Sequence, residues 1–201
     1  LKYDVISDVL VINGCFEALS TGVGGGRRRV KYILNIQVPH NFSHTDPKSY
    51  IDGVARSLHL DGDYVALLTA VAMKNVQIVE EDYITVFATA GVTHPRSIGT
   101  INLIIVSSRE LCEGAMANII ITATEAKTSA LFDLGLTFTG TSTDAVVVAF
   151  ERESGGETVV YGGPSTELGK KVTQMVRLGV KNGLIAHHGN NIKELRNTRS
   201  R

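Results

Sequence analysis

The sequence predicts an α/β protein, with α+β as the alternative. The expected architecture is a single layered domain in which a mixed, largely buried β-sheet packs against helices. Three observations carry this. Tyr64–Met73, Tyr83–Gly91 and Thr100–Ser107 are continuous apolar runs bounded by turn signals, as in strands covered on both faces. Two longer segments, near 113–134 and 164–184, repeat apolar residues at helical spacing. Several strand-like runs also follow one another with no helix between them, which favours a mixed or antiparallel sheet over a doubly wound one.

In chain order, Val9–Asn13, Phe16–Ser20 and Val30–Val38 are rich in β-branched residues and punctuated by glycine, so they read as strands. Asp46-Pro47 opens a helix running to about Leu58, with proline in its first turn. The strands 64–73, 83–91 and 100–107 follow. A long helix spans roughly Glu113–Leu134, and Asp144–Arg152 is a strand. Ser154-Gly155-Gly156 is a turn, and Pro164 to about Leu184 is a final amphipathic helix. Residues 1–190 form one domain on this reading, and 191–201 a basic C-terminal tail.

The chain has 201 residues, 43% hydrophobic and 20% charged, enough for a sizeable core. Lys+Arg 20 against Asp+Glu 20 leaves no net field to draw in nucleic acid or a membrane surface. The run Arg27-Arg28-Arg29 is too short for a nucleic-acid tract. Cys15 and Cys112 make neither a disulfide framework nor a metal motif. With no signal peptide and no membrane-length apolar run, the cytoplasm is the expected compartment. A homo-oligomer is compatible with the sequence.

Residues 122–144 hold the most informative local chemistry. Projected at roughly 100° per residue, Met116, Ile119, Ile120, Ala123, Ala130 and Leu134 share one helix face with Lys127. Asn118, Thr122, Glu125 and Ser129 form a separate polar stripe. Lys127 either snorkels to water or, if buried, needs a carboxylate partner or a depressed pKa. The following Gly140-Thr141-Ser142-Thr143-Asp144 is either a polar turn into a strand or a ligand-contacting loop. Ser20-Thr21-Gly22-Val23-Gly24-Gly25-Gly26 matches neither a dinucleotide fingerprint nor a P-loop, but its glycines admit close backbone approach to a bulky ligand. Thr89-Ala90-Gly91-Val92 and Gly99-Thr100-Ile101-Asn102 bracket a loop with His94, Pro95 and Arg96, and offer hydroxyl and amide groups. His40, His44, His59, His94, His187 and His188 lack metal-ligand spacing, so no protein-bound metal is expected.

In register along residues 16–184, these segments resemble the adenosylcobinamide amidohydrolase family. The resemblance rests on Leu19-Ser20 with its glycines, Leu34–Pro39, Leu68-Thr69-Ala70, Thr89–Val92, Gly99–Asn102, Gly114–Ala117, Ala123–Lys127 and Thr143-Asp144. Departures fall at ligand loops: Gly24-Gly25-Gly26 stands where the family has Asn-Gly-Gly, Ser142 where it has glycine, and His94 near a family asparagine. The segment between Leu136 and Gly140 is also short.

The resemblance implies hydrolysis of the amide between the aminopropanol arm and the corrin of adenosylcobinamide, yielding adenosylcobyric acid for cobalamin salvage. It implies no cofactor: cobalt enters with the corrinoid substrate, the one expected small-molecule partner. Residue chemistry then nominates water as nucleophile, Glu125 as general base, and Asp144 to orient the water or leaving amine. Lys127, Asn102 and Thr143 are nominated for oxyanion stabilisation. Ser20, Gly24, Gly25, Gly26, Thr89, Gly91, Thr100, Thr141 and Ser142 are nominated for substrate binding. Thr89 or Ser20 as covalent nucleophile is the rival mechanism. A corrinoid-binding protein without catalysis is the rival function.

Overall fold

The structure is a computed structural model that describes residues 1–94, 98–152 and 155–189. The expectations at Pro95, Arg96, Ser154 and the 191–201 tail lie outside the described residues. Among the described residues, eight strands form one mixed sheet: β1 (Lys2–Ile6), β2 (Val9–Ser20), β3 (Gly26–Gln37), β4 (Tyr64–Thr69), β5 (Gln77–Glu81), β6 (Ile84–His94), β7 (Ile98–Ser107) and β8 (Ala145–Glu151). The strand order is β4-β3-β2-β8-β7-β6-β5, with β1 paired to β2 beside this path. Three helices cover it: α1 (Pro47–Ser57), α2 (Glu113–Asp133) and α3 (Glu167–His188). The α/β reading therefore holds, and the sheet is mixed. Its two parallel pairs, β3 with β4 and β7 with β8, are those joined through α1 and α2, as parallel strands need a long crossover.

Several boundaries differ from the sequence reading, each for a local reason. The two expected strands 9–13 and 16–20 are one strand, β2, whose register shifts between Asn13 and Phe16. Gly14 breaks the apolar pattern there, as glycine at a bulge does. The expected strand 64–73 stops at Thr69, and Met73–Asn75 forms a single 3₁₀ turn. β1 and β5 are additions to the sequence reading: β1 is exposed along its whole length and β5 at three of its five residues, so neither carries a buried-strand pattern. The helix starts agree with their caps. Asp46 accepts from the Ser49 amide ahead of Pro47, and Thr166 accepts from Gly169.

The sheet is rolled rather than flat. A flat sheet in this order would set β4 and β7 about 19 Å apart, four strand spacings of ~4.8 Å. Instead the Asn102 side-chain amide on β7 donates to the Leu68 carbonyl on β4 at 2.9 Å. Leu10, Ile12, Phe16, Ile33, Leu67, Phe87, Ile104 and Val147 pack together inside the roll. Outside it, α2 and α3 bury one apolar face of β6–β8, and α1 covers β2–β4. α3 is also pinned at its end, where the Val92 amide donates to His188 Nε2 at 3.2 Å.

That last bond requires an unprotonated Nε2. Burial, aided by the neighbouring His187, pushes the His188 pKa down to about 4 from 6.5. The folded-state pKa lies below the unfolded one, so this anchor is intact above pH 6.5 and is lost as pH falls towards 4. Tm should therefore fall between pH 6.5 and 4, and His188→Gln, which keeps an acceptor without a titration, should flatten part of that fall. An unchanged Tm-versus-pH slope in the variant would show that another group controls it.

Candidate active site

Above the polar end of the roll lies an open cavity of about 1000 Å³. One wall comes from the β2–β3 turn through Thr21, Gly22 and Val23, another from the β3–α1 connection through Val38, Pro39, His40, Phe42 and His44. Leu67–Val71, the end of β4 and the residues just beyond it, supplies its floor. Gly91, Gly99 and Thr100 on β6 and β7, Ser142–Ala145 before β8, and His187 on α3 complete it.

The sequence-nominated residues divide into those facing the cavity and those behind its wall. Gly91, Thr100, Ser142, Thr143 and Asp144 line it. Asp144 is held by four donors: the Ile101 amide at 2.9 Å, the Thr141 amide at 3.0 Å, the Thr141 hydroxyl at 2.5 Å and Lys127 Nζ at 2.5 Å. Lys127 is buried (7% exposed), so of the alternatives open from the sequence it takes the carboxylate partner. Gly140 exists for this pair: a Cβ there would lie 2.4 Å from both Asp144 Oδ2 and Lys127 Nζ. The Thr141 and Thr143 hydroxyls both reach the Gly99 carbonyl, at 2.7 and 2.8 Å, and Thr143 Oγ1 is 2.7 Å from Thr100 Oγ1. One carboxylate thus ties α2, the 140–144 loop and β7 into a rigid wall.

Asn102 and Thr89 lie deeper, fully buried under the cavity floor. Asn102 donates to Asn35 Oδ1 and Asn35 donates to Thr89 Oγ1, each at 3.0 Å. Ser20 is buried and accepts from the Gly22 amide at 3.0 Å, shaping the turn rather than facing a ligand. Gly24 and Gly26 adopt positive φ (62° and 100°) in the hairpin turn. They lie beyond the cavity, which the loop meets at Thr21–Val23 instead. Arg28 caps the Gly24 and Gly25 carbonyls, while Arg27 and Arg29 pair with Glu17, so the basic run is spent locally.

Glu125 does not join this group. It is exposed on α2 and lines a separate shallow hollow with Thr124, Thr128, Ser129 and Phe132. Its polar stripe splits: Thr122 turns inward and donates to the Gly162 carbonyl at 2.8 Å. The residues missed from the sequence are His40, His44 and His187, all on the cavity wall. The only signal was that His187 lay just past the expected end of the last helix, which in fact continues to His188.

A sequence model of the adenosylcobinamide amidohydrolase family matches residues 8–192. The chain belongs to that family. It is accordingly an amidohydrolase. It is 46% identical to the adenosylcobinamide amidohydrolase of Methanosarcina mazei over 195 residues, covering 92% of this chain and 98% of that one. The Halobacterium salinarum protein of the same name is 32% identical over 185 residues, 83% of this chain and 79% of its own. An uncharacterised Methanocaldococcus jannaschii protein is 30% identical over 209 residues, covering 80% of this chain and 79% of that one. No solved structure matches. No helix among the described residues of this amidohydrolase is long and apolar enough to cross a membrane.

Lys127→Ala should destabilise the amidohydrolase by about 3–5 kcal/mol, because it strands a largely buried carboxylate. Denaturant unfolding measures this, and a loss below about 1 kcal/mol would mean Asp144 is adequately solvated without its partner. Glu125→Gln should leave kcat within about two-fold, since general acid–base roles require hydrogen-bond reach to the substrate. A steady-state rate collapse in that variant would place Glu125 at the chemistry despite its exposure.

Proposed function

We propose that this amidohydrolase cleaves the amide joining the aminopropanol arm to the corrin of adenosylcobinamide, releasing adenosylcobyric acid for cobalamin salvage. The observation that carries the reading is the cavity itself. At about 1000 Å³ it stands at the upper end of small-molecule sites, as a macrocycle with many amide side chains demands. Its wall is mostly small or uncharged: glycines, threonines, Val38, Leu67, Val71 and Ala145 face the space, with Asp144 already saturated by donors. Such a surface suits a flat ligand bearing neutral amides. Cobalt arrives as part of the substrate.

Water attacks the amide carbonyl directly in this reading. The oxyanion that develops needs donors fixed in advance, since donors that must reorganise lose most of their value. On the wall, the Thr143 hydroxyl donates to the Gly99 carbonyl and Thr100 to Thr143, so a substrate gains a donor here only by displacing one of these bonds. Lys127 and Asn102 act from behind it: Lys127 holds Asp144 in place, and Asn102 holds the strand ends together. Asp144 orients the 140–144 loop, and through it the reacting groups.

Incubation with adenosylcobinamide should release 1-aminopropan-2-ol in equal amount to adenosylcobyric acid, both measured by mass spectrometry. Tight binding of the corrinoid without either product would overturn the reading in favour of a carrier.

A further inference from the structure

We propose that His187 is the proton-transfer residue of this site, serving as base toward the attacking water and as acid toward the departing amine. The inference rests on the amide-hydrolysis reading and names the group that moves the proton.

Amide cleavage near neutral pH requires a group within hydrogen-bond reach that can take a proton and return it. Among the described residues, the titratable side chains on the cavity wall are His40, His44, Asp144 and His187. Asp144 spends its lone pairs on four donors, Lys127 among them. His44 is exposed, accepts the Asp46 amide at 3.1 Å through Nδ1, and stacks on Phe42. His40 is exposed on the connection after β3. His187 differs from all three: it is half-buried, and among the described residues neither ring nitrogen has a hydrogen-bond partner.

Its position is built rather than incidental. The ring lies against Gly91, where a Cβ would sit 3.0 Å from both Cδ2 and Nε2, so any larger residue at 91 would push the imidazole away. His188 meets it edge-on at 4.7 Å between ring centres, and His188 is itself pinned to the Val92 amide. Two successive histidines thus divide the work, one locked to the sheet and one facing the cavity. Gly91 pairs with Thr100 across β6 and β7. The imidazole therefore lies over the strand next to that of Thr100, and lines the same cavity as Thr100 and Thr143. An amide bound over that rung meets the threonine hydroxyls on one side and a base on the other.

The groups facing His187 are His188 on its own helix and His40 from the β3–α1 connection, 6.3 Å between ring centres; among the described residues no Lys or Arg lines the cavity. Burial first, then His40, holds its pKa below 6.5, so the ring is neutral at pH 7 and ready to accept a proton. In the reaction, imidazole takes a proton from water as the O–C bond forms. The imidazolium then delivers that proton to the amide nitrogen as the C–N bond breaks. The proton left on the new carboxyl group passes to the amine, so water is consumed and carboxylate and ammonium leave.

His187→Gln and His187→Ala test this in the full chain, with corrinoid binding followed by visible absorption and turnover by amine release. The expected result is a kcat loss of about 100-fold or more with Kd within about three-fold of wild type. Added imidazole should restore part of the His187→Ala rate, and the acid limb of the wild-type pH–rate profile should vanish from the residual activity. Wild-type kcat in His187→Gln would overturn the proposal, as would a loss confined to Kd with no imidazole rescue. A wild-type protein that binds the corrinoid and releases no amine would instead overturn the amide-hydrolysis reading, and this proposal with it.

Discussion

The structure depends on one polar bridge inside the rolled sheet. Asn35, Thr89 and Asn102 belong to β3, β6 and β7, with two strands between β3 and β7, yet their side chains hydrogen-bond in a chain. Asn102 adds a bond to the Leu68 carbonyl on β4. No backbone ladder joins the β3–β4 pair to the β6–β7 pair, so side chains must hold the roll shut at this end. Asn102 spends both amide hydrogens doing so, and its Oδ1 is a buried oxygen without a partner among the described residues. A buried orphan acceptor costs about 1–3 kcal/mol. The apolar packing of Phe16, Ile33, Phe87 and Ile104 below the bridge offsets that cost. Without the roll, Leu68–Val71 would not come under the β6–β7 strand ends, and the cavity would have no floor.

Above the bridge, rigidity comes from charge. The Lys127–Asp144 pair is nearly dry, with side-chain exposures of 9% and 12%. Such pairs rarely stabilise more than apolar substitutes would, but they fix geometry through direction and donor count. Here the geometry is worth having. The carboxylate aims two bonds at Thr141 and one at β7, which sets the hydroxyls of Thr141 and Thr143 against Gly99. The cavity thus has one immobile wall on β7 and β8.

Much of this was legible in the sequence, and the limits are physical. Continuous apolar runs gave β4, β6 and β7, because a strand covered on both faces needs apolar side chains throughout. Lys127 stood out because a cation on an apolar helix face demands a partner, and Asp144 proved to be that partner. Helical projection could not find that partner, since it lies 17 residues away across a loop. The same projection grouped Glu125 with Thr122, although one points to solvent and the other into the molecule. β1 and β5 were hidden because exposed edge strands need no apolar face. Gly24–Gly26 drew attention by composition, but the cavity meets the preceding Thr21–Val23. Glycine content reports backbone freedom, not which side of a turn a ligand occupies.

The histidines show the deepest limit. Periodicity registers what a helix buries along its length, and His187 and His188 sit at its last turn, where that pattern has faded. Their roles arise only because the roll brings β6 beneath the end of α3. Gly91 and Val92 then present, in consecutive residues, a bare surface for one imidazole and an amide for the other. Burial keeps both rings neutral at pH 7, and the same burial couples them. Acid that protonates His188 loosens the helix end carrying His187, while acid that protonates His187 removes the base. Activity should therefore fall on the acid side before the sheet unfolds, because the helix terminus rests on two titrating rings and the rolled core on none.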